Sequence, residues 1–259
     1  MQLYCEDSQE VIDTTLQAYK LAESVALPVM VVLDAFFLSH TYEPVDVPSQ
    51  EEADRFLPPY EARFQLDVKN PCSFGPLVPP SIYMEMRHDM AAAMETALKN
   101  FAQIEDEYAG VFGRRYGAVE AIACDDAEII FVTSGTITST ARLVLENLRG
   151  RGEKFGILKI KLFRPFPVER IRKALGNAKK IAVIDRNFSF GASGIFAQEV
   201  RAALCNAPSH PPVFGYIAGI GGRDVTPEVL EEIYWKTKTT AVPERESVWI
   251  GLQEVSHGS

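Results

Sequence analysis

The chain of 259 residues lacks closely spaced cysteines. Its four cysteines stand far apart, at Cys5, Cys72, Cys124 and Cys205. Zinc sites and iron–sulfur clusters are built from thiolates a few residues apart, so we expect this chain by itself to carry no metal site. The four thiols are expected to be buried and reduced, as is usual in a cytoplasmic protein.

Long apolar runs and excess positive charge are also missing. No run approaches the roughly 20 residues of a membrane span, and residues 1–7 do not resemble a secretion signal. We therefore expect a cytoplasmic protein without membrane contact. Lys and Arg total 26 against 35 Asp and Glu, a formal net charge of −9, which argues against a nucleic-acid partner. The densest basic positions, among them Lys159 and Lys161, are expected to be solvated charges beside a strand.

From residue 126 onward, short apolar runs alternate with helical patterns. This alternation predicts an α/β fold with a doubly wound parallel sheet. We assign this domain to residues 123–236 and a loose polar tail to residues 237–259, with a late contact at residues 248–250. The predicted strands cover residues 128–132, 155–163, 180–184 and 213–218, and the predicted helices cover residues 137–148, 168–175, 194–204 and 227–235.

Residues 1–122 form an incomplete α/β unit by the same reading. Asp7 and Glu10 have capping-box spacing and predict a helix over residues 8–23, with an apolar face of Val11, Ile12, Leu16 and Tyr19. The run at residues 29–33 predicts a parallel strand buried on both faces. Such a strand needs neighbours that this half does not supply. Either a partner chain completes the sheet, or the chain begins partway through a domain.

A proline-rich arm at residues 39–80 and a long helix at residues 81–110 complete this half. Loops of this length inside a compact domain usually form interfaces or carry function. We expect an ordered arm laid over another surface and anchored by apolar side chains, namely Phe56, Leu57, Tyr60, Phe64, Leu66 and Phe74. The stripe of methionines on the long helix is interpreted as core packing, and Gly110 and Gly113 as its end.

Several strand ends carry candidate site residues, all of them weak. The turn Thr133, Ser134, Gly135 and Thr136 could hold an anion at a helix start, although simple N-capping explains it as well. The segment 219–224, with Gly221, Gly222, Arg223 and Asp224, fails the spacing of phosphate loops and favours a tight strand-to-helix turn. Arg186, beside Asp185 and followed by Gly191, is expected to form an ion pair that holds its loop. His40 is interpreted as a hydrogen-bonded loop histidine.

Several uncommon sequence motifs occur in the chain in an order that is typical of one protein family. They are residues 38–45 (LSHTYEPV), residues 56–60 (FLPPY), residues 83–85 (YME), residues 163–167 (FRPFP), residues 185–191 (DRNFSFG) and residues 219–224 (GIGGRD). Together they resemble the alpha subunit of pyruvate:ferredoxin oxidoreductases over residues 1–235. The resemblance implies a thiamine pyrimidine-side domain over residues 1–122, followed by a transketolase C-terminal-like domain.

In that family the complex uses thiamine diphosphate, Mg²⁺ and [4Fe-4S] clusters. The resemblance implies oxidative decarboxylation of a 2-oxo acid to acyl-coenzyme A, with electrons passed to ferredoxin. The resemblance implies partner subunits of beta, gamma and delta type. The diphosphate–Mg²⁺ site is implied for the beta subunit, and the clusters are implied for the beta and delta parts. The segment that carries the family's pyrimidine and substrate contacts has no match in this sequence, so no catalytic or cofactor-binding residue is carried over.

Two classes of function remain open from the sequence. The leading hypothesis is a scaffold and subunit-interface chain of a 2-oxoacid:ferredoxin oxidoreductase, inactive in isolation. Pyruvate is the favoured substrate, with 2-oxoisovalerate, 2-oxoglutarate and oxalate as alternatives. The competing hypothesis is a stand-alone nucleotide- or phosphate-binding α/β protein that uses residues 133–136 and 219–224.

Overall fold

The computed structural model describes residues 1–62, 64–207 and 210–253, which contain two β-sheets. The larger sheet has the strand order β3-β5-β4-β7-β8-β9 and is parallel except for β3, which runs antiparallel to β5. Its strands are β3 (Val119–Ile122), β4 (Ile129–Thr133), β5 (Phe155–Ile160), β7 (Lys180–Asp185), β8 (Val213–Ile217) and β9 (Val248–Trp249).

Helices cover both faces of this sheet, as a doubly wound fold requires. The helices are α4 (Ile137–Gly150), α5 (Val168–Leu175), α6 (Ile195–Cys205) and α7 (Pro227–Thr239). Alternate residues of β4 point to opposite cores, because side chains on a strand alternate between its faces. Ile129 and Phe131 pack with α4 and α7, whereas Ile130 and Val132 pack with α5 and α6. The predicted doubly wound sheet is confirmed.

Two edge strands of the larger sheet were not predicted as strands. β3 has only four residues and its partner is antiparallel, so it falls outside the strand–helix alternation. β9 lies in the expected loose tail and pairs with β8, and Ile250 after it is buried. Within the described residues no helix has both the length and the apolar character needed to cross a membrane.

The smaller sheet has the order β2-β1-β6, from β1 (Gln2–Tyr4), β2 (Met30–Val32) and β6 (Leu162–Arg164). The expectation that β2 is buried on both faces is wrong for this chain. Met30 is 53% exposed, and among the described residues β2 pairs with β1 alone. Among the described residues, strand β2 is therefore paired along one edge, although its apolar sequence predicts burial on both faces.

One predicted strand, at residues 155–163, is two strands in two different sheets. β5 lies in the larger sheet and β6 in the smaller one, and Lys161 stands between them. β6 pairs antiparallel with β1, so the chain crosses from one sheet to the other within a few residues. This crossing ties the smaller sheet to the larger one.

Helix α1 (Ser8–Val25) begins as predicted, with the Asp7 carboxylate accepting the N–H of Glu10. Its buried face is nevertheless polar, and the predicted apolar face is wrong. Tyr19 is 60% exposed, whereas the fully buried positions include Glu10, Asp13, Thr14 and Gln17. Periodicity alone could not show that charged groups of other elements meet this face.

The arm contains a short helix, α2 (Gln50–Phe56), and leads into α3 (Pro80–Phe112). Gly113, with φ of 71°, ends α3, whereas Gly110 lies inside it. Phe56 is buried and Leu57 half-buried, as expected of anchors. The other four expected anchors are exposed on this chain, as are the side chains of the first three turns of α3, including Ile82, Met86 and Met90. Core packing of the stripe begins at the half-buried Met94 and is complete at Phe101, Ile104 and Tyr108.

The cysteines divide into two pairs by exposure. Cys5 and Cys124 are buried thiols, whereas Cys72 and Cys205 are exposed, contrary to the expectation for all four. Burial raises the pKa of both buried thiols to about 11. The buried pair is therefore protonated at neutral pH and unreactive.

Phe56 is expected to hold the arm in place. Its ring packs edge-on against Tyr108, with ring centroids 5.1 Å apart, and near Phe112. Phe56→Ala should lower the free energy of unfolding by about 3–5 kcal/mol, because a buried aromatic ring is replaced by a cavity. Phe74→Ala, at an exposed arm position, is the matched control and should change it by less than about 0.5 kcal/mol in urea denaturation. Equal losses in both variants would contradict the assigned anchor.

Candidate functional site at the junction of the two sheets

The carboxyl ends of β2, β4 and β7 meet where the two sheets join. Asp34 follows β2, and its carboxylate accepts hydrogen bonds from the backbone N–H of Thr136 (2.7 Å) and the hydroxyl of Thr136 (2.6 Å). Arg186, after β7, lies 3.0 Å from the same carboxylate oxygen and donates to the Thr136 hydroxyl at 2.9 Å. We call Asp34, Thr136 and Arg186 the clamp. The N-terminus of α4 thus holds an anion, and that anion is a carboxylate of this chain.

Gly135 makes the approach of Asp34 possible. Its φ is +60°, and a Cβ at this position would lie 2.5 Å from a carboxylate oxygen of Asp34. The expected N-capping by Thr136 is absent, because its side chain makes no cap hydrogen bond within α4. Thr133 and Thr138 instead share a buried hydroxyl–hydroxyl hydrogen bond of 2.9 Å, and Ser134 is half-buried between them and the clamp.

The remaining candidate residues do not join the clamp. Gly221 and Gly222 form a short 3₁₀ turn with positive φ, and Arg223 donates to the carbonyl of Gly251. Asp224 contributes an attractive charge near Arg186. Thr226 caps α7 ahead of Pro227, in agreement with the predicted strand-to-helix turn. Gly191 lies in an open loop with φ of +85°.

His40 lies in an exposed loop of the arm. Its Nδ1 is 2.7 Å from the Ser39 hydroxyl, and its ring packs on Phe36. This is the hydrogen-bonded loop histidine that the sequence predicts.

Asp185 does not pair with Arg186. It is fully buried and accepts the backbone N–H groups of Phe196 (2.9 Å) and Ala197 (3.0 Å) at the start of α6. Burial raises the pKa of Asp185 to about 6, although these two N–H groups favour the charged form. Gly194 is required here, because a Cβ would fall 2.2 Å from the carboxylate.

A cluster of buried charges lies beside the clamp. The sequence did not predict this cluster. Lys159 and Lys161 are 2% and 0% exposed, so their interpretation as solvated charges is wrong. Lys159 Nζ lies 2.8 Å from carboxylate oxygens of both Glu6 and Glu10. Glu6 and Glu10 belong to the first half of the chain and Lys159 to the larger sheet. We call these residues, together with Lys161, Glu105, Arg142 and Glu120, the seam cluster.

Arg142 extends the seam cluster onto α4. It donates to Glu6 from Nε at 2.8 Å and to Glu120 from Nη2 at 2.6 Å. Burial opposes ionisation of Glu6, but hydrogen bonds from Arg142 and the charge of Lys159 outweigh it and hold the pKa at about 2. Glu6 is therefore charged throughout the physiological range.

Glu105 on α3 is also buried. It accepts the backbone N–H groups of Tyr116 (2.9 Å) and Gly117 (2.7 Å). Two lysines alternate with apolar residues inside the run Ile157–Phe163. A strand with one solvated face has the same pattern, so the sequence does not distinguish buried lysines from solvated ones. Asp34, like Asp185, directly follows an apolar run that predicts a strand, so its position at a strand end could be recognised in the sequence.

The clamp should stabilise the junction through a partly buried ion pair. In a double-mutant cycle with Asp34→Ala and Arg186→Ala, we expect a coupling energy of about 1–3 kcal/mol from urea denaturation. The control cycle uses Asp106 and Arg115, whose contact of 2.5 Å is more than half exposed, and should give about 0–1 kcal/mol. A clamp coupling no larger than the control would show that the clamp does not hold the junction.

Asp185 should make stability depend on pH. Its folded pKa, about 6, exceeds the reference value of 3.8, so the favourable contribution is complete below pH 4 and is lost as the pH rises through 6. Asp185→Asn cannot titrate, so its stability relative to the parent should rise by on the order of 2–3 kcal/mol between pH 4 and pH 7. Thermal unfolding of both proteins across this range measures the difference. A constant difference would contradict the raised pKa.

Two protein-family models match separate parts of the chain. Residues 1–106 match the family described as pyruvate flavodoxin/ferredoxin oxidoreductase, thiamine diphosphate-binding. Residues 127–230 match pyruvate:ferredoxin oxidoreductase core domain II. The clamp and the seam cluster join these two matched regions.

Relatives resemble the chain over almost its whole length. Pyruvate synthase subunit PorA of Methanothermobacter thermautotrophicus is 45% identical, over 99% of this chain and 66% of that protein. Ketoisovalerate oxidoreductase subunit VorA of Pyrococcus abyssi is 41% identical, over 98% of this chain and 65% of that protein. The chain thus spans just under two thirds of the length of these relatives.

A solved structure shares the fold. The 2-oxoglutarate:ferredoxin oxidoreductase from Magnetococcus marinus superposes with a TM-score of 0.56 at 18% identity, covering 91% of this chain and 42% of that one. With the two family matches and the relatives, the resemblance read from the sequence is confirmed. The chain belongs to the 2-oxoacid:ferredoxin oxidoreductase family, as a chain of its alpha-subunit type.

Proposed function

We propose that this chain is a scaffold and subunit-interface component of a 2-oxoacid:ferredoxin oxidoreductase that acts on pyruvate. The complex would decarboxylate the 2-oxo acid oxidatively, transfer the acyl group to coenzyme A and pass electrons to ferredoxin. It would work in the cytoplasm, which suits the four free thiols of the chain. Beta-, gamma- and delta-type partners would supply Mg²⁺ binding and the [4Fe-4S] clusters, and thiamine diphosphate would bind in the assembled complex.

The observation that carries this proposal is a broad exposed apolar surface on the first half of the chain. Exposed large apolar side chains lie on α1, on β2, along the arm and on the first turns of α3. Large apolar side chains that are exposed in such numbers mark interaction sites in soluble proteins. We call this region the open surface, and its exposed large side chains include Tyr19, Met30, Tyr60, Phe64, Leu66, Val68, Phe74, Leu77, Ile82, Tyr83, Met84, Met86 and Met90.

The charged groups at the junction support a structural role for this chain. Asp34 and Arg186 neutralise each other, and Lys159 is held between Glu6 and Glu10. General acid–base catalysis needs a group that can reach the reacting atoms with a pKa near the working pH. Glu6, Glu10 and Lys159 are buried and paired with one another instead. Asp34 at the N-terminus of α4 also disfavours the competing hypothesis of phosphate binding at residues 133–136.

An activity assay tests the function. The isolated chain should not reduce a viologen dye with pyruvate and coenzyme A, whereas a complex purified through a tag on this chain should. Substituting 2-oxoisovalerate, 2-oxoglutarate or oxalate should give lower rates than pyruvate. Activity of the isolated chain would overturn the scaffold role, and calorimetric binding of nucleotides or phosphate to it would favour the competing hypothesis.

The open surface should be needed for assembly and not for folding. The double variant Met84→Lys with Met90→Lys should weaken co-purification of partner subunits at least tenfold, because two charges would be buried in an apolar contact. Both positions are exposed, so the melting temperature of the isolated chain should change by no more than about 2 °C. Leu143→Lys, on the exposed side of α4, is the control and should leave assembly intact. Unchanged assembly of the double variant would exclude this part of α3 from the interface.

A further inference from the structure

The ammonium group of Lys161 forms ion pairs with two carboxylates but donates a hydrogen bond to neither. Its Nζ is 3.4 Å from Glu10 Oε1 and 3.9 Å from Glu105 Oε1. Lys161 and Glu10 are fully buried and Glu105 is 2% exposed. Among the described residues, Lys161 Nζ, Glu10 Oε1 and Glu105 Oε1 have no hydrogen-bond partner. Three charged atoms at the centre of the seam cluster are thus close together and unsatisfied.

The two carboxylates are prevented from turning towards the lysine. Glu10 Oε2 accepts the N–H of Glu6 at 2.7 Å and also binds Lys159 at 2.8 Å. Glu105 Oε2 is held by the two backbone N–H groups of Tyr116 and Gly117. Rotation of either carboxylate would break these charge-assisted hydrogen bonds, which are stronger than hydrogen bonds between neutral groups. The ring of Tyr116, 4.2 Å from Nζ, limits the movement of Lys161 on another side.

We propose that a single buried water molecule bridges Lys161 Nζ to Glu10 Oε1 and Glu105 Oε1. The donors and acceptors match a water molecule, because the ammonium donates one hydrogen bond to the water and the water donates one to each carboxylate. Buried waters in proteins typically make about three such bonds to groups that are otherwise unsatisfied. A metal ion would fit the two carboxylates, but the positive charge of Lys161 would repel it.

The bridging water joins three separate parts of the fold. Glu10 lies on α1, Glu105 on α3, and Lys161 on the connection between β5 and β6 where the chain changes sheets. The water therefore acts as a structural ligand of the seam cluster. This inference concerns the fold of the chain alone, so it stands or falls independently of the proposed function.

A crystal structure of the full chain, at a resolution that defines ordered solvent, tests the proposal directly. The expected result is one water within about 2.7–3.2 Å of all three atoms. Direct contact of Nζ with both carboxylates at hydrogen-bond distance, without a water peak, would overturn it. A bound cation in place of the water would overturn it as well.

Two variants test the site in solution. In Lys161→Arg the longer guanidinium can occupy the water position and donate to both carboxylates, so the melting temperature should fall by no more than about 4 °C and the water peak should vanish. Lys161→Met is the comparison variant. It leaves two buried carboxylates short of a cation, and its melting temperature should fall by on the order of 10 °C. If Lys161→Arg is as unstable as Lys161→Met, or does not fold, there is no room for a water and the proposal is wrong.

Discussion

The fold depends on the buried ion pairs between Lys159 and the carboxylates of Glu6 and Glu10. Lys159 belongs to a strand of the larger sheet, whereas Glu6 and Glu10 lie at the start of α1 beside the smaller sheet. A buried charge without a partner costs several kcal/mol, so neither half can separate from the other without exposing or stranding these groups. The charges set how the two halves meet, and apolar contacts, such as those of Tyr4 with Phe163 and Phe196, also cross the junction.

This constraint explains why α1 turns charged side chains towards the interior of the protein. An amphipathic helix ordinarily turns its apolar stripe towards the core of its own chain. Here Glu10 and Asp13 face inward, since they meet Lys159 and Arg114, which lie 2.8 Å and 2.6 Å from their carboxylates. Ala18 and Leu21 of the same helix are buried in an apolar cluster. The inward face of α1 is therefore mixed, and Tyr19 is left exposed on the open surface.

At two glycine-rich strand ends, a carboxylate of the chain itself binds the start of a helix. Residues 133–136 have the backbone geometry of an anion site, and the chain supplies its own anion in Asp34. Asp185 fulfils the same role at the start of α6. Sequence features that resemble ligand sites therefore form contacts between secondary-structure elements in this protein. Both contacts require glycine, at Gly135 and Gly194, because the carboxylate occupies the space that a Cβ would take.

The amino-acid sequence by itself determined the doubly wound sheet, the order of its strands and helices, the start of α1 and the family. These follow from local periodicity, capping and uncommon strings, which are properties of neighbouring residues. Tertiary structure alone decided the break of residues 155–163 into β5 and β6, the burial of Lys159, Lys161 and Glu105, and the partnership of Asp34 with Arg186. In the clamp the partners are separated by 152 positions, and in the Lys159–Glu10 pair by 149. A charged side chain is expected to be solvated unless a partner of opposite charge is known, because burying an unpaired charge is costly. Partners this far apart in the sequence come into contact only in the folded chain.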